Sequence, residues 1–156
     1  MSADHIKLDF GREARIGLAE AIYCAGKSVA QIATILAQAS ERRARFLLTR
    51  LEQSVFNALP GSLCEQLDYD AVSRTGYFGA PRLANTAARI AIVAAGTSDV
   101  PAAREAARTL RFYGEDSENI NDVGVAGIWR LLERAEEIKK FPIVIAARFY
   151  SRLGRH

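Results

Sequence analysis

Apolar residues recur along this chain in two ways, as helical spacings and as short unbroken runs, and the alternation between them sets the elements that the sequence predicts. In the first eighty residues IKLDF, AIYC and FLLTRL are short apolar segments of strand character. Between the second and third, Ser28-Val-Ala-Gln31 matches a capping box, with a serine to cap the third helical amide and a glutamine to reach back. Val29, Ile32, Ala33, Leu36 and Ala39 follow at helical spacing and predict a helix over 28–41. Leu51, Val55 and Leu59 predict a shorter helix over 50–58, stopped by Pro60-Gly61. YDAVSRTGYFG reads as a strand or hairpin.

The pattern then changes. GAPRLANTAAR is small and polar, and residues 81–89 read as a linker between an N-terminal unit, 1–80, and a second domain, 90–147. IAIVAA at 90–95 is a continuous apolar run, which suits a strand buried on both faces. Pro101 opens a helical pattern through Ala103, Ala106, Ala107, Leu110 and Tyr113. ENIND at 118–122 is a second strand candidate. Ile128, Leu131, Leu132, Ala135 and Ile138 mark a second amphipathic helix, with Lys139 and Lys140 at its C-terminus, and PIVIAA at 142–147 is a third strand. Strand, helix, strand, helix, strand is the order of a parallel sheet with right-handed crossovers. The expected fold class is therefore α/β: a small N-terminal α+β unit followed by the first half (βαβαβ) of a parallel three-layer domain.

Charge changes the picture little. The chain of 156 residues carries a net charge of +3, and the excess is Arg148, Arg152 and Arg155 in the tail 148–156. A basic tail is not the basic stripe of a nucleic-acid interface, so no nucleic-acid partner is expected. No apolar run approaches the roughly 18 residues needed to span a bilayer, and the start MSADHIKLDF lacks a secretory signal, so a cytoplasmic protein without a membrane partner is expected. Cys24 and Cys64 lie far apart without a CxxC pattern, and the two histidines are His5 and His156, so no metal site and no histidine triad is expected.

Ligands of open parallel sheets bind outside the carboxyl ends of the strands. Two turns are predicted there. In Gly96-Thr97-Ser98-Asp99 a glycine allows close backbone approach, two hydroxyls can meet a phosphate and the carboxylate suits a ribose hydroxyl; alternatively, Ser98 or Asp99 caps the following helix. In Asn121-Asp122-Val123-Gly124-Val125-Ala126-Gly127 the small residues Gly124 and Gly127 leave a cavity with Asp122 at its rim, placed to steady a cationic ring or accept a proton, or else to cap a helix. Neither turn is a GxGxxG or Walker loop.

GTSD after a buried strand, DVGVAG some twenty residues later and a helix beginning at IWRLL resemble the pyridinium-3,5-biscarboxylic acid mononucleotide synthases, the LarB-type proteins of nickel-pincer cofactor biosynthesis. LDFGREARIGLAEAIYCAGKSVAQI and FLLTR resemble that family's N-terminal half, and the likeness runs over residues 6–147. It implies an enzyme that carboxylates the pyridinium ring of nicotinic acid adenine dinucleotide, with carbon dioxide or bicarbonate as co-substrate, and cleaves the phosphoanhydride to release AMP. The implied fold is similar to aminoimidazole ribonucleotide carboxylase, a homo-oligomer in which Gly96, Thr97, Ser98 and Asp99 hold the mononucleotide and Asp122 faces the pyridinium. No firm cofactor is implied; magnesium is a candidate ion. Arg15 and Lys27 match basic positions of the N-terminal half.

The sequence departs from the family after its third strand. A Gly-Met-Glu-Gly-Ala-Leu segment and a later cysteine nucleophile are expected there, whereas Arg148-Phe-Tyr-Ser-Arg-Leu-Gly-Arg-His156 follows, which reads as a C-terminal truncation. Cys24 and Cys64 do not match the nucleophile position. Trp129 replaces a histidine of the relatives and is expected to pack as an aromatic anchor. Two other readings stand beside the synthase: a purine-biosynthetic carboxylase, against which DVGVAG lacks a Ser-Ala-His-Arg turn, and a noncatalytic nucleotide-binding fragment.

Overall fold

The structure is a computed structural model that describes residues 9, 11–84, 87–123 and 128–148. They fall into two compact units, one drawn from Met1–Leu83 with Phe112–Gly114, the other from Ala84–Arg111 with Glu115–His156.

The first unit is built on a four-stranded sheet. Strands β1 (Ala21–Tyr23) and β2 (Phe46–Thr49) pair in parallel, and β3 (Leu67–Asp70) and β4 (Thr75–Phe78) form an antiparallel hairpin joined to β2 through β4, giving the order β1-β2-β4-β3. The parallel pair requires a crossover, and helix α2 (Val29–Glu41) supplies it. Its capping box is formed: the Gln31 amide donates to Ser28 Oγ at 3.2 Å and the Ser28 amide to Gln31 Oε1 at 2.9 Å. Ile32, Ile35, Leu36 and Ala39 bury one stripe of α2 in a core with Ile22, Phe46, Leu48 and Phe78. Leu47 points to the other face, where it packs with Ala19, Tyr77 and Phe112, so β2 is apolar on both sides.

Three short helices differ from what the apolar pattern predicts. Helix α1 (Arg12–Ile16) has no buried residue and hence no apolar stripe to announce it. The segment expected as one helix over 50–58 is α3 (Gln53–Asn57), and Pro60 opens α4 (Gly61–Cys64) instead of ending the helical region, because a proline preceding the first turn gives up no needed donor. The expected strand IKLDF lies outside the described residues apart from Asp9.

The second unit is a three-stranded parallel sheet in the order β6-β5-β7, from β5 (Ile90–Ala94), β6 (Ser117–Ile120) and β7 (Ile143–Ala147). A 3-10 turn, Thr97–Asp99, leads into α5 (Val100–Phe112), and α6 (Ile128–Ile138) joins β6 to β7. The side chains of β5 alternate: Ile92 and Ala94 pack with Ala103, Ala106, Ala107 and Leu110 of α5, whereas Ala91 and Val93 lie with Ile120, Ile138 and Phe141. Helices therefore cover both faces of the central strand, which is why IAIVA carries no polar residue. This alternation of helices and parallel strands is the α/β architecture of carboxylase-like domains. Edge strand β7 is more open, with Ile143 and Val144 each 48% exposed. Trp129, on the first turn of α6 and expected as a packed aromatic anchor, is 56% exposed.

Candidate functional site at the carboxyl edge of the parallel sheet

In the second unit β5 is central: α5 carries the chain to β6 on one side of it, and α6 carries the chain back past β5 to β7 on the other. A strand order that reverses at β5 opens a crevice at its carboxyl end. Three segments meet this edge. The loop Ala95–Asp99 leaves β5, Asn121–Val123 leaves β6, and Arg148 follows β7, whose Ala147 pairs with Ala94. The Val123 amide donates to the Ala94 carbonyl at 3.3 Å, which ties the second loop to the base of the first.

Within the first loop, Asp99 is 6% exposed. Its carboxylate accepts from the Gly96 amide at 3.2 Å while its own amide donates to the Gly96 carbonyl at 3.0 Å. This reciprocal pair closes the loop, and a ribose contact would share the same carboxylate. Thr97 and Ser98 are exposed at the rim, with hydroxyls open to a ligand. Gly96 is extended (φ −159°, ψ 180°), a conformation any residue adopts, and a Cβ added to it meets nothing within 4 Å. The glycine is therefore not needed by the turn or by packing, and the space beside it is open.

Asp122 is exposed and adopts a left-handed backbone (φ 63°), which aspartate tolerates better than most residues. It lies six residues ahead of Ile128, where α6 begins. Gly124 and Gly127 lie outside the described residues. Arg148, which the sequence placed merely in a basic tail, is a cation on this edge; the signal available was its position directly after the third apolar run. Among the described residues there is no group of three or more histidine, cysteine or acidic side chains arranged to hold a metal ion, and no helix long and apolar enough to cross a membrane.

The remaining candidates belong to the first unit. Arg15 pairs with Asp9 on the surface. Lys27 is half-buried, its amide bonded to the Cys24 carbonyl at 3.0 Å. Burial pushes the Cys24 thiol up to about 11, outweighing the nearby Lys27 charge and the Thr49 backbone. Half-buried Cys64 donates to the Phe56 and Leu59 carbonyls at 3.3 and 3.6 Å.

Comparison with known proteins adds a lineage. An uncharacterized protein of Methanocaldococcus jannaschii is 28% identical over 137 residues, which cover 82% of this chain; the chain spans about half, 52%, of that protein's length. The family described as LarB/PurE-like N-terminal domain matches residues 1–80. With that match over half of its length, the chain belongs to the family of proteins that carry the LarB/PurE-like N-terminal domain.

Proposed function

We propose that residues 90–147 form the mononucleotide-binding part of a carboxylase-like domain, and that the chain is a relative of the synthase that carboxylates and hydrolyses nicotinic acid adenine dinucleotide. The observation that carries this reading is the convergence of the Gly96–Asp99 loop, Asp122 and Arg148 on one edge of a parallel sheet, with open space beside Gly96. Thr97 and Ser98 donate hydroxyls to the ligand phosphate, and the amides that open α5 add partial positive charge. Arg148 contributes the full cation that a phosphate group calls for. Asp99 chiefly fixes the loop through Gly96 and meets the ribose with its remaining oxygen lone pairs. Asp122 faces the pyridinium ring, whose positive charge a carboxylate stabilises. Gly124 and Gly127 follow Asp122 in the sequence.

Carbon dioxide or bicarbonate is the co-substrate in this reading, and a homo-oligomer in the cytoplasm is its expected form. Ring activation by a cysteine is not a task for Cys24, which is buried in the first unit with its thiol held protonated, nor for Cys64, whose thiol is engaged with two carbonyls. Binding is thus the part of the family's work that the residues of this chain support.

The family description covers purine-type carboxylases as well. Incubating the chain with labelled bicarbonate and either nicotinic acid adenine dinucleotide or aminoimidazole ribonucleotide separates the readings. Saturable binding of the pyridinium dinucleotide in preference to the imidazole nucleotide supports the proposal, and label entering the pyridinium product assigns the carboxylation to this chain itself. Label in the imidazole nucleotide, or its preferential binding, replaces the proposal with the purine reading.

A further inference from the structure

The first unit contains a cavity of about 470 Å³, a size that suits a small-molecule ligand, lined by Asp9, Glu13, Glu20, Arg42, Arg43 and Arg45. The acidic wall is already engaged. Glu13 pairs with Arg45 and Arg82, Asp9 pairs with Arg15, and Glu20 accepts the Asp9 amide at 2.8 Å. The arginine wall is different. Helix α2 ends in a Schellman motif, with the Arg43 amide donating to the Ser40 carbonyl at 3.1 Å and the Ala44 amide to the Ala39 carbonyl at 2.9 Å. Arg43 occupies the left-handed position of that motif (φ 50°), where glycine is the usual residue and a side chain is strained. Its guanidinium makes no hydrogen bond or ion pair with any described residue. A strained backbone that presents an uncommitted guanidinium to a cavity, next to Arg42, is the arrangement expected of a ligand contact and not of a helix stop.

We propose that this cavity binds a phosphomonoester of sugar-phosphate size, its phosphate taken by the Arg43 guanidinium beside Arg42. The planar fork of arginine matches phosphate oxygens in pairs. The carboxylates of Glu13 and Glu20, which also line the cavity, accept from hydroxyls of the ligand with their remaining lone pairs. The cavity lies wholly within the first unit, so this site is separate from the parallel-sheet edge and does not rest on the function proposed for it.

Calorimetric titration of the full chain with ribose 5-phosphate and with inorganic phosphate tests the proposal. Arg43→Gly is expected to weaken ribose 5-phosphate binding at least tenfold while the melting temperature holds or rises, because glycine relieves the left-handed strain. Arg43→Asn, which also tolerates that conformation, is expected to match it. In the Gly96→Ala background, which weakens the phosphoribosyl contact proposed at the sheet edge, the binding that depends on Arg43 is expected to persist. Failure of the parent chain to bind overturns the proposal, as does binding in that background that survives both Arg43 variants. Loss of binding in Gly96→Ala places the ligand at the sheet edge instead and also overturns it. Inorganic phosphate binding as tightly as the sugar phosphate reduces the cavity to an anion patch, which overturns it too.

Discussion

Gly96 shows how a single residue separates folding from binding. Its backbone is extended and the space where a Cβ would stand is empty, so Gly96→Ala should leave stability within about 0.5 kcal/mol of the parent chain. The same methyl group intrudes where the mononucleotide is proposed to lie, so binding of nicotinic acid mononucleotide should fall about tenfold; thermal melting and titration read the two effects separately. Buried Asp70 is the opposite case. It accepts from the Ser73 amide at 2.9 Å and the Ser73 hydroxyl at 2.6 Å, and closes the β3–β4 turn. Asp70→Ala strands those donors and should cost about 1–3 kcal/mol in chemical unfolding. Glu13 gives a pH dependence. Partial burial raises its carboxyl, but hydrogen bonds and charges from Arg45 and Arg82 outweigh this and hold it below the ordinary value of 4.5. A depressed carboxyl contributes stability above its unfolded value and loses it as pH falls through the folded one. The stability difference between the parent chain and Glu13→Gln is therefore expected at pH 7 and should shrink as unfolding is repeated at progressively lower pH below 4.5.

Among the elements, α2 was legible because everything that makes it is local. Ser28 and Gln31 are three residues apart, and Ile32, Leu36 and Ala39 share one stripe. Ser28→Ala should cost about 1 kcal/mol, read as a shift of the urea midpoint without a change of slope. Strand β5 was legible for a different reason, since burial on both faces removes every polar residue from the run. Helix α1 escaped because five residues with no buried member leave no periodicity. The strand orders β1-β2-β4-β3 and β6-β5-β7 are set by pairings distant in sequence, which no local pattern encodes. The two loops were found from what flanks them, but not the bond between Asp99 and Gly96, nor the arrival of Arg148 at the same edge, because both depend on geometry. The arginine cavity was hidden likewise: its one sequence signal was a helix that ends in Arg42-Arg43 where a glycine would be expected.

For the whole molecule, two compact units carry two kinds of chemistry. The first, matched by the LarB/PurE-like family, buries its apolar residues on both sides of β2 and keeps arginines around a cavity. The second gathers a glycine-containing loop, a carboxylate and an arginine at the carboxyl edge of a parallel sheet. The proposed role of this edge, binding the mononucleotide part of a pyridinium dinucleotide, is open to calorimetric titration of the full chain with nicotinic acid adenine dinucleotide, alongside Gly96→Ala and Asp122→Asn. Asparagine keeps the left-handed backbone at 122 while removing the charge. The parent chain should bind saturably, and each variant should bind about tenfold or more weakly with its folding intact. No binding by the parent chain, or affinity unchanged in both variants, is incompatible with a mononucleotide site at this edge.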